Sequence, residues 1–190
     1  MKVNAEQAYS LVIERLKSHQ RNTPFLLVID GRSASGKTTF ASKFGFPVVH
    51  TDDFFRPRNR EGRLELSEYS GNFDLSRFKT EVADHVNDIN GFSYGVFDCK
   101  RGEIIETKSI FPCNAIIIEG AYSMHPDLGL SPDMTLFFDI SRDKQEERII
   151  KRNGIQALEA FSRIWIPAEE RYFEHFNLKY KSEYTVITEL

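Results

Sequence analysis

Eight consecutive residues of the sequence match the pattern G-x-x-x-x-G-K-S/T without a mismatch. They are Gly31, Arg32, Ser33, Ala34, Ser35, Gly36, Lys37 and Thr38. Glycines let a loop curl until successive N–H groups converge on a phosphate, and the following helix adds its positive N-terminal end. In this pattern the lysine reaches the β- and γ-phosphates, and the threonine hydroxyl coordinates Mg²⁺. The segment as far as Thr39 predicts a nucleotide-binding loop. The alternative is a Gly/Ser-rich turn with an exposed lysine.

Carboxylates that suit phosphoryl transfer follow two apolar runs elsewhere in the chain. Asp52 and Asp53 follow residues 46–50 after Thr51, and Glu119 comes directly after the apolar run of residues 115–118. A phosphotransferase needs one carboxylate within hydrogen-bond reach of the acceptor hydroxyl and others around Mg²⁺. We interpret one of Asp52 and Asp53 as the group that faces the acceptor, and the other, together with Glu119, as a candidate metal ligand. The alternatives are an Asx turn or helix cap for the aspartate pair and an exposed strand end for Glu119.

A charged helix is predicted to follow Ser141. Arg148 and Arg152 are four residues apart, so their guanidinium groups share one helix face. Two such groups can neutralise the charge that spreads over a transferring phosphoryl group. The alternative is a solvated face with intrahelical pairs, because Glu147 and Lys151 are also four residues apart.

Short apolar runs that alternate with amphipathic stretches must position these residues. Strands are predicted at residues 25–30, 46–50, 114–120, 135–140 and 184–188, with a hairpin at 92–105. Helices are predicted after Asn4, at 38–44, at 142–153 and from about Pro167. One more helix follows Asp74, which can cap it, and its apolar positions are Leu75, Phe78, Val82, Val86 and Ile89. This alternation predicts a single three-layer α/β domain over residues 1–190, with a mostly parallel five-stranded sheet and helices on both faces.

The composition narrows the function classes. The chain has 190 residues and a formal net charge of −3, so no global positive field attracts nucleic acid. The two cysteines, Cys99 and Cys113, form neither a disulfide framework nor a zinc spacing. The apolar runs are too short to span a bilayer. We therefore expect a cytoplasmic protein with no nucleic-acid or membrane partner.

The phosphate loop, combined with the run Asp-Asp-Phe-Phe-Arg-Pro that begins at Asp52, resembles the uridine kinase family of P-loop kinases, which includes the nicotinamide riboside kinases. The resemblance extends over residues 25–176 and implies a P-loop NTPase fold. It further implies that Asp52 is the general base for a nucleoside hydroxyl and that Asp74, in Asn72-Phe73-Asp74, contacts the ribose. It also implies that Arg148 and Arg152 lie in a small helical lid at about residues 141–165.

The segment that recognises the nucleobase in this family has a different sequence in this chain. Members usually carry Tyr-Asp-Phe followed by a histidine and an arginine. This chain has Phe97, Asp98 and Cys99, then Arg101, with no histidine nearby. We keep Phe97, Asp98 and Arg101 as candidate substrate residues, with a charged hairpin turn as the alternative. Trp165 is expected to be a packing residue.

The function expected from these residues is transfer of the γ-phosphoryl group of ATP or GTP, with Mg²⁺, to a hydroxyl of a small molecule. The resemblance favours a nucleoside as the acceptor. One alternative is a kinase for another metabolite, namely a vitamin, a sugar or a monophosphate. A monophosphate would need a basic cluster, which Arg56, Arg58 and Arg60 could supply. The other alternative is a regulatory P-loop protein that binds a nucleotide without an acceptor.

Overall fold

A computed structural model describes residues 1–88 and 90–188, and in this part of the chain a six-stranded sheet forms the centre of the fold. The sheet strands are β1 (Lys2–Val3), β2 (Phe25–Gly31), β3 (Val48–His50), β6 (Ala115–Glu119), β7 (Met134–Asp139) and β8 (Tyr184–Ile187). Their order is β1-β8-β7-β2-β6-β3, and every neighbouring pair is parallel. Strands β4 (Phe92–Asp98) and β5 (Glu103–Ile110) form a separate antiparallel hairpin.

Helices connect the strands. The α-helices are α1 (Ala5–Lys17), α2 (Lys37–Ala41), α3 (Leu75–Phe78), α4 (Arg142–Asn153), α5 (Ile155–Ala160), α6 (Ile166–Phe176) and α7 (Leu178–Lys181). Two π-helical turns, Lys79–Ala83 and Phe161–Trp165, continue α3 and α5. Short 3₁₀ turns lie at Ser42–Phe44, Thr51–Phe54 and Pro126–Leu128. At the start of α1, Asn4 and Gln7 form a capping box.

The core lies on both faces of the sheet, as the uninterrupted apolar strands predict. Along β2, Leu26 and Val28 belong to one buried cluster, which also contains Phe78 of α3 and Tyr172 of α6. The alternate residues Phe25, Leu27 and Ile29 belong to a second cluster, together with Ala8 and Val12 of α1. Because successive side chains of a strand point to opposite faces, this division requires helices on both sides. The prediction of a three-layer α/β fold is confirmed.

The number and the ends of the elements differ from the expectation. The central sheet has a sixth strand because Lys2 and Val3 pair with Thr185 and Val186 of β8. Two residues are too few for a hydrophobic period, so only the pairing reveals this strand. Strand β3 begins at Val48 rather than Phe46. The predicted helix after Asp74 changes from α to π geometry at Lys79, and its last expected apolar position, Ile89, lies outside the described residues.

No helix within residues 1–88 and 90–188 is long and apolar enough to cross a membrane.

Candidate active site

A cavity of about 970 Å³ opens at the carboxyl edge of the sheet. Parallel pairing brings the ends of β2, β3 and β6 together there, with His50 opposite Glu119 in the sheet register. Ligands of open α/β sheets bind at this edge. The cavity wall contains residues 33–40, together with Asp52, Phe55, Asn72, Glu119, Tyr122, Arg148, Arg152, Phe161, Trp165 and Glu169.

The phosphate loop joins β2 to α2. Gly31 has a φ of +131°, and a Cβ at this position would overlap the carbonyl oxygen of Phe138 on β7, so only glycine fits. Lys37 is buried and donates hydrogen bonds from Nζ to the carbonyl oxygens of Gly31 (2.7 Å) and Arg32 (2.9 Å). The ammonium group is thus held inside the loop that is predicted to bind the phosphates.

Arg32 points away from the cavity, unlike the rest of the loop. Its Nε donates to Asp139 Oδ1 at 2.8 Å, and its guanidinium also pairs with Glu170 of α6. Among the predicted nucleotide-binding residues, Gly31 and Arg32 are absent from the cavity wall, whereas Ser33 to Thr39 line it. The side chain of Arg32 anchors the loop to β7 and α6.

Thr38 and Glu119, two of the predicted metal ligands, are in direct contact. Thr38 Oγ1 donates to Glu119 Oε1 at 2.9 Å, and His50 Nδ1 lies 2.5 Å from the same oxygen. Burial opposes the ionisation of Glu119. The hydrogen bond from His50 and the charge of Lys37 outweigh burial, and the pKa of Glu119 is lowered. The hydrogen bond to Glu119 likewise raises the pKa of His50.

This donor set suits Mg²⁺, which prefers hard oxygen ligands and is held in kinases by one or two carboxylates plus substrate phosphates. Thr38 offers a hydroxyl and Glu119 an ionised carboxylate beside the phosphate loop. Within the described residues, no group of three or more His, Cys, Asp and Glu could hold a metal ion by protein ligands alone. A metal at this site would therefore complete its coordination with oxygens of water or of a bound phosphate.

The adjacent residues Asp52 and Asp53 point to different places. The carboxylate of Asp52 lines the cavity and makes no hydrogen bond to any residue that the structure describes. It is open to the cavity but surrounded by its walls, so that desolvation, reinforced by the charge of Glu119, raises its pKa. Asp53 faces the hairpin instead, where its Oδ2 accepts from Lys108 Nζ (3.1 Å) and the Tyr94 hydroxyl (3.3 Å). The structure thus separates Asp53 from Thr38 and Glu119.

The other predicted substrate residues lie outside the cavity wall. Asp74 accepts the backbone N–H of Arg77 at 3.0 Å and caps α3, as its position predicts. Asp98 closes the hairpin turn by accepting the backbone N–H groups of Lys100 (2.7 Å) and Arg101 (2.9 Å). Phe97 is packed in the hairpin with 9% of its surface exposed. This arrangement matches the charged-turn alternative for residues 97–101.

The two predicted lid arginines take different positions. Arg148 Nη2 donates to the Thr188 carbonyl at 2.6 Å, and its Nη1 lies 3.4 and 3.3 Å from the carbonyl oxygens of Ala34 and Ser35. It therefore joins α4 to the phosphate loop and to the end of β8. Arg152 lines the cavity, and its charge lowers the pKa of Asp52. Its guanidinium carbon lies 5.9 Å from the ring centre of Phe161.

Sequence reasoning missed the aromatic part of the cavity. Phe55 and Trp165 are stacked, with ring centroids 6.3 Å apart and planes 10° apart, and both line the cavity with Tyr122. Trp165 was expected to be only a packing residue. Asn72 also lines this end. It is 3% exposed, and its Oδ1 has no hydrogen-bond partner in the described part of the chain. Aromatic residues are typical of a hydrophobic core, so nothing in the sequence indicated that Phe55 and Trp165 line a cavity. At this end of the cavity, only the motif Asn72-Phe73-Asp74 indicated a functional site.

The cavity continues past the phosphate loop, away from Asp52, to the ends of β1 and β8. Asn4, Ala5 and Glu6 line it there, with Lys43 and Thr188. The pairing of β1 with β8 brings the N-terminal residues to this place. The cavity therefore has two ends, one on each side of the phosphate loop.

Comparisons with known proteins find similarity in structure. No protein-family model matches the sequence, and no curated protein sequence matches it significantly. The chain is similar to the structure of a possible uridine kinase from Bacillus stearothermophilus, at 18% identity and a TM-score of 0.64, covering 93% of this chain and 99% of that chain.

Two further structures are similar. A candidate fructose transport system kinase from Silicibacter sp. TM1040 has 22% identity and a TM-score of 0.70, covering 96% of this chain and 98% of that chain. The D-glycerate 3-kinase from Cryptococcus neoformans var. grubii has 14% identity and a TM-score of 0.55, covering 88% and 87%. The phosphate loop, the sheet order and this likeness together show that the chain has the P-loop kinase-like fold.

Proposed function

We propose that this chain transfers the γ-phosphoryl group of a nucleoside triphosphate to a hydroxyl group of a small molecule. One observation carries the proposal. The carboxylate of Asp52, free of hydrogen bonds to the described residues, lines the same cavity as the phosphate loop and the Thr38–Glu119 pair. A transferase needs a phosphate cradle, a metal position and an acceptor carboxylate together, and a simple nucleotide switch has no use for the third.

The residues have separate tasks in this reaction. The loop amides and Lys37 bind the phosphates, for which Lys37 exchanges its two carbonyl partners for phosphate oxygens. Thr38 and Glu119 would hold Mg²⁺, which would supply positive charge to offset that of the bound phosphates. Asp52 accepts the proton of the acceptor hydroxyl while the oxygen of that hydroxyl bonds to the γ-phosphorus. The bond from that phosphorus to the β-phosphate oxygen breaks, and the nucleoside diphosphate leaves.

The acceptor lies at the aromatic end of the cavity, because in-line transfer places donor and acceptor on opposite sides of the γ-phosphate. Phe55 and Trp165 give this end a flat apolar wall, and Asn72 Oδ1 is an acceptor without a partner in the described chain. A planar ring that carries polar groups and a hydroxyl fits these features. Together with the motif resemblance, they support a nucleoside.

Other metabolites remain the second candidate. The similar structures include proteins named for fructose transport and for D-glycerate. Neither fructose nor D-glycerate contains a nucleobase. A monophosphate acceptor has less support. Arg56 is engaged with Ser67 and with the carbonyl of Phe73, and Arg58 with the carbonyl of Gly62.

The test is release of nucleoside diphosphate from Mg·ATP and Mg·GTP with a panel of nucleosides, sugars and small hydroxy acids. We expect one acceptor class to stimulate turnover. Asp52→Asn should then lower kcat by roughly 10²- to 10⁴-fold while nucleotide affinity changes little, because a general base typically contributes that much. Asp53→Asn is the matched comparison. It should lose less than about tenfold, because its carboxylate faces the hairpin.

Nucleotide binding without stimulation by any acceptor would contradict transferase activity and favour the regulatory alternative. Equal losses in the two aspartate variants would contradict the assignment of Asp52.

A further inference from the structure

The phosphate loop contains a residue in an unfavourable backbone conformation. Ala34 has a φ of +60°, in the left-handed region, where a side chain with a Cβ is disfavoured relative to glycine. Such a conformation persists only where the surrounding structure enforces it. Ala34 lies in the middle of the loop whose amides must converge on the phosphates. Contacts from neighbouring helices must therefore hold Ala34 in this conformation.

Two buried side chains hold Ser33, the residue just before Ala34. Glu169 of α6 accepts the Ser33 backbone N–H at Oε2 (3.0 Å) and the Ser33 hydroxyl at Oε1. Gln145 of α4 donates from Nε2 to the Ser33 carbonyl at 3.0 Å. Glu169 is 5% exposed and Gln145 is fully buried. Both peptide groups of Ser33 are therefore fixed from outside the loop.

Any effect of Glu169 that favours nucleotide binding comes from its hydrogen bonds to Ser33 and not from its charge. Burial raises the pKa of Glu169. In its ionised form this carboxylate, which lines the cavity beside the phosphate loop, repels a bound polyphosphate, so its charge does not favour nucleotide binding. What Glu169 supplies is a rigid acceptor for two donors of one loop residue. The contact thereby sets the backbone geometry of Ser33.

We propose that Glu169 and Gln145 are positioning residues that hold Ser33, and through it Ala34, in the conformation that binds phosphate before the nucleotide arrives. The proposal rests on the proposed function in that it assumes a polyphosphate ligand for the loop. Neither residue touches the reacting atoms. Their contribution is to remove the ordering cost from the binding step, which is how preorganisation increases affinity.

The experiment compares the affinity for Mg·ATP, or a non-hydrolysable analogue, among five variants and the intact chain. Glu169→Ala removes both acceptors, and we expect affinity to fall about tenfold, the factor that matches the left-handed penalty of one residue. Glu169→Gln keeps an acceptor for the Ser33 N–H and removes the negative charge, so its affinity should equal or exceed that of the intact chain. Glu174→Ala, an exposed change on the same helix, is the control and should change nothing.

The decisive variant combines Ala34→Gly with Glu169→Ala and is compared with Ala34→Gly alone. Glycine adopts the left-handed conformation without enforcement, so the loss caused by Glu169→Ala should shrink to less than about threefold in this background. A purely structural role for Glu169 would give the same loss with either residue at position 34. Equal affinities for Glu169→Ala and Glu169→Gln would also overturn the proposal.

Hydrogen exchange of the loop amides in the free protein separates this proposal from the proposed function. Exchange at residues 33–36 should be faster in Glu169→Ala than in Glu169→Gln, whether or not a nucleotide binds. An intact chain that binds no nucleotide overturns the proposed function. Unchanged exchange in Glu169→Ala overturns the positioning role.

Discussion

Neighbouring side chains of the same type have different surroundings in this molecule, and the acid–base properties follow from the surroundings. Asp52 and Asp53 occupy consecutive positions of one 3₁₀ turn, yet only Asp52 lines the cavity. Asp53 is paired with Lys108. Desolvation and the charge of Glu119 raise the pKa of Asp52 above its ordinary value of 3.8. A base with a raised pKa binds the acceptor proton more strongly, which favours its proposed role.

The pH dependence of turnover follows from this shift. Asp52 acts as an anion, so kcat/KM should fall as the pH is lowered through its pKa, which lies above 3.8. The charge of Arg152 lowers that pKa, so Arg152→Ala should move the acidic limb of the profile to higher pH. Lys151→Ala, an exposed change on the same helix, should leave the limb in place. An unchanged limb in Arg152→Ala would contradict the assignment of Asp52 as the base.

Among the elements, β2, α6 and the segment after β6 meet at one buried carboxylate. Asp30, the residue before Gly31, accepts the N–H groups of Gly31 (2.6 Å) and Met124 (2.9 Å) and the hydroxyl of Tyr172 (2.7 Å). Burial raises the pKa of Asp30, and these three hydrogen bonds oppose the rise. The start of the phosphate loop is thereby fixed to α6, the helix that also carries Glu169.

Removal of one donor from this carboxylate should destabilise the fold. Tyr172→Phe should lower the free energy of unfolding by about 2 kcal/mol, as expected for a hydrogen bond to a charged group. Urea unfolding measures this. Tyr180→Phe, at a position 82% exposed, should change stability by less than about 0.5 kcal/mol. A loss in Tyr172→Phe no larger than in this control would contradict the role of the contact.

The loss of stability in Tyr172→Phe should depend on pH. The folded-state pKa of Asp30 is raised, so its stabilising contribution is present below the unfolded pKa and decreases as pH rises through the folded one. Tyr172 lowers that folded pKa. Tyr172→Phe therefore raises it further, and its deficit in stability should be larger at neutral pH than in acid.

At the scale of the whole molecule, α4 to α6 connect the two ends of the cavity. Arg148 ties α4 to the loop carbonyls and to Thr188, whereas Phe161 and Trp165 line the cavity wall. Residues 154–165 lie between two anchored helices and begin at Gly154, whose φ is +85°. A lid at about residues 141–165 stays a prediction, and these anchors suggest that its moving part is the segment after Gly154.

Closure of this segment can be measured by hydrogen exchange. With a non-hydrolysable Mg·nucleotide and an acceptor, residues 155–165 should exchange more slowly, because closure excludes water from the transfer site. Helix α7, which does not line the cavity, is the internal control. Equal protection of both segments, or of neither, would contradict a local lid.

Several features could be predicted from the sequence because neighbouring residues determine them. The phosphate loop is a contiguous motif, and the runs ending at Asp30 and Glu119 have the composition of strands buried on both faces. Once those strands are parallel, their carboxyl ends meet, and Asp52 and Glu119 come to the loop. The three-layer fold follows from the same runs.

Only the tertiary structure decided where individual side chains point. The direction of the Asp53 side chain depends on Lys108 in the hairpin, and that of the Arg148 side chain depends on Thr188, directly after β8. The contact of Glu169 with Ser33 joins residues 136 positions apart. Such contacts result from rotamer choice and packing between distant segments, which local patterns do not contain. The sequence alone determined the fold class and the phosphate loop. The packed structure determined which charged residues face the cavity and which hold it in shape.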